Sequence, residues 1–216
     1  MKAGAIFDMD GLLFDTEILY NKEWKKVADE NGLILEEKML DEIRGTGGTV
    51  MYETINRYWP NIDAERLRKQ IFENTKEILS KNVPVKCGVL ELLRYLKENG
   101  VKTAVASSSP MESIQNNLKV SGLESYFDTI VSGEQVLHGK PAPDIFLLAA
   151  EKLSLSPKEC YVFEDGPNGI YAGVRAGCAT IMIPDLISPT EELYEITVGI
   201  YKSLKEVLDA IEAGEC

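Results

Sequence analysis

The chain has 216 residues, 44% apolar and 27% charged, enough to bury a substantial core as one domain with a sizeable insertion or as two small domains. Its 23 Lys and Arg stand against 35 Asp and Glu, a net charge of −12, so the long-range field repels polyanions and acidic lipid surfaces, and nucleic acid is not expected as a partner. No apolar run reaches the roughly 20 residues needed to cross a bilayer, and Asp8 and Asp10 interrupt the N-terminal apolar segment too early for a signal peptide, so a cytoplasmic protein without membrane contact is expected.

The first element is the stretch GAIFDMDGLLFDT, residues 4–16. Its apolar half suits a central parallel strand covered on both faces, which puts Asp8 at the carboxyl end, where open α/β sheets bind ligands. Residues two apart in an extended segment point the same way, so Asp8 and Asp10 can reach one site while Met9 turns aside and Gly11 allows a sharp turn. Asp15 reads as a turn or N-cap residue before a helix starting near Thr16.

From about residue 16 to residue 83 no strand pattern occurs, only helical periodicity such as Leu19, Val27 and Ala28, then Ile43, Met51 and Ile55. This region reads as a helical domain, 16–83, inserted into a core formed by 1–15 and 84–216. After it, VKTAVASSS, DTIVSG, CYVFEDG and ATIMIP read as further strands of a parallel sheet, each leading into a helical pattern. The predicted fold is α/β, a Rossmann-like parallel sheet with an inserted helical domain. Cys87, Cys160, Cys178 and Cys216 are far apart and read as reduced thiols.

The later strand ends supply company for Asp8 and Asp10. CYVFEDG ends on Glu164 and Asp165, and if its strand neighbours the first, four carboxyl groups converge on one crevice. Like charges so close need a cation, and an oxygen-only set without clustered His or Cys points to a hard ion such as Mg²⁺. The lone His138 is not needed. VKTAVASSSP delivers Ser107 at a strand terminus, with Ser109 before Pro110 expected as an N-cap. GKPAPD holds Lys140 on a stiffened loop beside the sheet, where it suits a phosphoryl oxygen.

DMDGLLFDT, the strand-end Ser107, GKPAPD and FEDGPNG, in this order, resemble the four motifs of the haloacid dehalogenase superfamily, in its β-phosphoglucomutase-like phosphatase and phosphomutase branch. The helical insertion resembles that family's cap domain. One departure is Cys87 before Gly88, where many relatives have Pro-Gly, which is expected to alter local rigidity only.

The resemblance implies that Asp8 is a nucleophile forming an aspartyl phosphate and that Asp10 is the general acid and base. It further implies that Mg²⁺ is held by Asp8, Asp10 through its backbone carbonyl, Asp165 and, directly or through water, Glu164. Ser107 and Lys140 would bind the transferring phosphoryl group. Thr16, Tyr20, Trp24, Arg44 and Thr46 are candidates for reading the leaving group, Arg44 for a second anion; the alternatives are a place in the cap core for Trp24 and a solvated or salt-bridged surface for Arg44. The resulting expectation is a monomeric, Mg²⁺-dependent phosphatase of a small phosphorylated metabolite, such as a sugar phosphate. A β-phosphoglucomutase is the alternative, although related mutases carry a histidine where this chain has Tyr20. A dehalogenase would not need Asp10, and a phosphoacceptor signalling domain would need neither Asp10 nor a long cap.

Overall fold

The computed structural model describes residues 1–43 and 48–215, without the side chains of residue 17 and residues 48–50. The chain divides into two compact units, Met1–Asp15 with Asn82–Cys216, and Thr16–Lys81.

The second unit is helical: α1 (Thr16–Glu30), α2 (Glu37–Ile43), α3 (Gly48–Tyr58) and α4 (Ala64–Leu79). Asp63 starts α4 by accepting the Arg66 amide at 3.0 Å, satisfying a donor that the first turn leaves open. The apolar residues that recur at helical spacing meet in one cluster, with Trp24, Val27, Ala28, Met39, Ile43, Ile55 and Trp59 buried together.

The first unit contains β1 (Gly4–Phe7), β2 (Lys102–Ser107), β3 (Thr129–Ser132), β4 (Cys160–Glu164), β5 (Ala179–Met182) and β6 (Gly199–Ile200). All pair in parallel, in the order β3-β2-β1-β4-β5-β6. The five strands expected from the sequence are present; β6, two residues at the sheet edge, is too short to carry a period-2 pattern. The helices of this unit are α5 (Val89–Glu98), α6 (Met111–Ser121), α7 (Asp144–Lys152), α8 (Pro167–Ala176), α9 (Glu191–Ile196) and α10 (Leu204–Ala213).

Strand β1 is fully buried, and its alternate residues serve opposite faces. Ile6 joins Ala104, Val131 and Val162 in a core with Phe146 and Ala149 of α7 and Ala172 of α8. Phe7 lies against Phe163 of β4, ring centroids 4.8 Å apart. Each Ile, Val or Phe among them contributes about 1.5–3 kcal/mol by leaving water. The strand order turns back across β1, with β2 on one side and β4 on the other, so the crevice of a doubly wound sheet opens beyond Phe7 and Glu164. Among the described residues no helix is long and apolar enough to cross a membrane.

Candidate active site

Asp8 follows directly on β1 and Glu164 closes β4, whose strands are in register from Gly4↔Cys160 to Phe7↔Phe163. The parallel pairing therefore brings the two carboxylates to the same sheet edge. Lys140 reaches between them from the loop before α7. Its ammonium donates to Asp8 Oδ1 at 2.5 Å, to Glu164 Oε1 at 2.7 Å and to the Ala106 carbonyl at 3.2 Å, which uses all three of its donors. It also lies 5.0 Å from the Phe146 ring centroid. The Lys140–Pro141 peptide bond is cis.

Glu164 is engaged at both oxygens, since Oε2 accepts from the amides of Asp165 at 3.0 Å and Gly166 at 3.2 Å. Gly169, in the first turn of α8, makes room for it: a Cβ there would collide with the Glu164 carboxylate. Gly11 has φ +83°, the left-handed region that glycine tolerates, and a Cβ on it would meet the Asp165 carboxylate. One carboxylate oxygen from each of Asp8, Glu164 and Asp165 lies within 4.8 Å of the others.

The electrostatics follow from this crowding. Burial drives the Asp8 carboxyl up to about 7 against the pull of Lys140, and Glu164 and Asp10 add to the rise. Asp165 is pushed well above the carboxylate range, first by burial and then by Glu164 and Asp8. Burial opposes the Lys140 ammonium, yet Asp8 and Glu164 outweigh it and hold its pKa above the ordinary lysine value. Three carboxylates and one ammonium leave an excess of negative charge that a bound cation would relieve, and the donor set is entirely oxygen.

Asp10 stands at the rim, half-buried, and its Oδ2 accepts the Ser109 hydroxyl at 2.8 Å. This corrects the expectation that Ser109 caps the following helix. Helix α6 begins at Met111 without a side-chain cap from the serine, and the Met111 amide is satisfied by Glu134 Oε2 at 3.0 Å. Ser109 is free for Asp10 because Glu134, brought in by β3, has taken over the capping role. Ser107 is buried at the end of β2, where its Oγ accepts the Ser109 amide at 3.1 Å and keeps its own proton to donate. Met9 is buried, its sulfur 4.0 Å from Asn117 Nδ2.

In the helical unit, Thr16 opens α1 and is buried, and Tyr20 packs against the apolar cluster around Trp24, itself a core residue 6.2 Å from Trp59. Arg44 and Thr46 lie outside the described residues. His138 is exposed and pairs with Asp144 at 3.1 Å. Two residues that sequence reasoning passed over stand close to the site. Lys86 donates to the Gly11 carbonyl at 2.7 Å and to Asp185 Oδ1 at 2.5 Å. Asp185 stands just past the ATIMIP stretch, so the rule that found Asp8 and Glu164, an acid beyond a parallel strand, could have found it.

Comparison with known proteins gives a consistent picture. The profile described as haloacid dehalogenase-like hydrolase matches residues 5–183. A phosphorylated carbohydrates phosphatase of Thermotoga maritima is 36% identical over 214 residues, covering 97% of this chain and 90% of that protein. A fructose-1-phosphate phosphatase of Escherichia coli is 33% identical over 178 residues, 81% of this chain and 93% of that one. Among solved structures, a Thermotoga maritima protein described as a candidate β-phosphoglucomutase superposes with a TM-score of 0.82 at 31% identity, covering 99% of each chain.

Proposed function

The chain belongs to the haloacid dehalogenase-like hydrolases, and from that premise we propose that it is a Mg²⁺-dependent phosphatase of small phosphorylated sugars working through an aspartyl phosphate on Asp8. The observation that carries this reading is the Lys140 ammonium bonded to both Asp8 and Glu164 at the head of the sheet, with Asp165 alongside. A buried carboxylate with one face on a lysine and like charges around it suits attack on a phosphoryl group better than any structural role, because such a cluster costs the fold stability.

The residues fit a hard divalent cation. Asp8 and Asp165 would hold it with the main-chain carbonyl of Asp10, while Glu164, already bonded at both oxygens, would act mainly by fixing Lys140 and the loop amides. When bound, the cation supplies positive charge that lets one anion approach another.

In the reaction proposed, an Asp8 carboxylate oxygen attacks phosphorus as the bond from phosphorus to the sugar oxygen breaks, and Asp10 gives its proton to that oxygen. Asp10 then takes a proton from water as the water oxygen attacks phosphorus, which frees inorganic phosphate and restores Asp8. Ser107 and Lys140 hold the phosphoryl oxygens, the lysine by turning toward them the N–H that the Ala106 carbonyl now accepts. Ser109 fixes the Asp10 carboxylate.

Sugar phosphates are the favoured class because the phosphatases named above act on such compounds. Mutase chemistry is the second reading, favoured by the structural likeness to a candidate β-phosphoglucomutase. Tyr20, where related mutases carry histidine, speaks for water as the acceptor. A panel of hexose, pentose and glycerol phosphates with Mg²⁺, assayed in parallel for phosphate release and isomer formation, separates the two. Phosphate release is expected; rapid glucose 6-phosphate formation from β-glucose 1-phosphate with little free phosphate would replace the phosphatase reading with the mutase one.

A further inference from the structure

Asp185 lies in the loop after β5, and only 14% of its side chain is exposed. One oxygen, Oδ1, is held by Lys86, but Oδ2 is buried with no hydrogen-bond partner. Buried carboxylate oxygens without partners are costly, and Lys86 satisfies only Oδ1. A donor ligand from outside the chain would satisfy it.

Its surroundings identify that ligand. The Lys86 ammonium that holds Asp185 also holds the Gly11 carbonyl, and the Cα of Gly11 is packed against the Asp165 carboxylate. The order Asp185, Lys86, Gly11, Asp165 thus runs from the orphan oxygen to the cluster that fits a cation. Asp185 is also among the charges that raise the Asp165 carboxyl. A carboxylate joined to the cluster through one lysine and one glycine, with an oxygen left over, is placed like the outer partners that orient metal-bound water.

Resting on the metal site of the proposed function, we propose that Asp185 belongs to the outer shell of that cation, its Oδ2 accepting a hydrogen bond from a water on the ion while Lys86 clamps Oδ1. No proton or electron is transferred; the role is to orient water and to strengthen cation binding.

Mn²⁺ is a suitable probe of an oxygen-only site, since its free hexaaqua form is counted directly by electron paramagnetic resonance. The unaltered chain, Asp165→Asn and Asp185→Asn are titrated with Mn²⁺, with folding checked by circular dichroism and by melting in EDTA. Asp185→Asn should bind Mn²⁺ about 10–100-fold more weakly while keeping the circular dichroism and cooperative melting in EDTA of a folded chain, and Asp165→Asn should lose the ion. Unaltered affinity in Asp185→Asn overturns the inference alone when Asp165→Asn has lost the ion. Unaltered affinity in Asp165→Asn overturns the metal site and the inference with it. Should Asp185→Asn fail to fold, Asp185→Ser, which leaves no amide opposite Lys86, is read in the same way.

Discussion

The Lys140 ammonium sits 2.5 Å from Asp8 Oδ1 with 9% of its side chain exposed, so the two residues neutralise each other in a site that water scarcely reaches. Lys140→Met would leave Asp8 and Glu164 facing each other. Breaking such a buried pair costs about 3–5 kcal/mol at about pH 9. The Asp8 carboxyl can escape by taking a proton, and without the lysine it does so more readily, so the loss should shrink as pH falls toward 6. Urea unfolding of both proteins at the two pH values checks this, and an equal loss at both would count against the pairing.

The same carboxyl links metal binding to pH. Because burial lifts Asp8 to about 7, the proton and the cation compete for it below that value. Below about 7 affinity should fall at least about tenfold per pH unit as Asp8 takes its proton, and the raised Asp165 carboxyl adds a second proton to the competition. Calorimetric titration with Mg²⁺ in buffers of different ionisation heat counts the protons released. A flat profile from about pH 5 to 8 would show that Asp8 does not hold the ion.

Asp10 and Ser109 should share a kinetic signature. Asp10→Asn keeps the shape but cannot move a proton, so a loss of about 10²–10⁴-fold is expected for alkyl phosphates, and a smaller one for aryl or acyl phosphates whose leaving groups need no proton. Ser109→Ala removes the hydrogen bond that fixes the Asp10 carboxylate and should cost about tenfold with the same dependence on leaving group. Steady-state rates over an alcohol and phenol series measure both. Losses that ignore the leaving group would remove Asp10 from the role of acid.

Gly169→Ala tests the support beneath Lys140. Within a helix alanine normally improves on glycine, by up to about 1 kcal/mol in the interior, but here its methyl would strike the Glu164 carboxylate. The collision should win, leaving the variant about 1–2 kcal/mol less stable. Turnover should fall as well, because Glu164 carries Lys140 and two loop amides. A variant more stable than the parent and equally active would show that the glutamate has another place to go.

The sheet was legible in the sequence because each buried strand is short, apolar and punctuated by a polar residue at its carboxyl end, and that same punctuation gave Asp8, Ser107, Glu164 and Asp165. Lys140 could be nominated from its proline-flanked loop, but its bonds to Asp8 and Glu164 depend on strand order, which local sequence does not encode. Ser109 was misread because the capping rule is local, whereas Glu134, the group that satisfies the Met111 amide, arrives from β3, 23 positions along the chain. Lys86 and Asp185 are 99 positions apart and meet only through tertiary packing, so their pairing has no local signal, although Asp185 by itself stands beyond a strand as Asp8 does. Arg44, the residue nominated for a second anion, lies outside the described residues and keeps only its sequence-based expectation.

The covalent step is the centre of this account, and a stopped single turnover tests it most directly. Enzyme in excess is mixed with a phosphorylated sugar and Mg²⁺, quenched in acid within milliseconds, digested and weighed by mass spectrometry. The account predicts a phosphoryl increment on the peptide that carries Asp8, decaying as inorganic phosphate appears, and neither the increment nor phosphate release in Asp8→Asn. Absence of any adduct together with undiminished turnover by Asp8→Asn would contradict it.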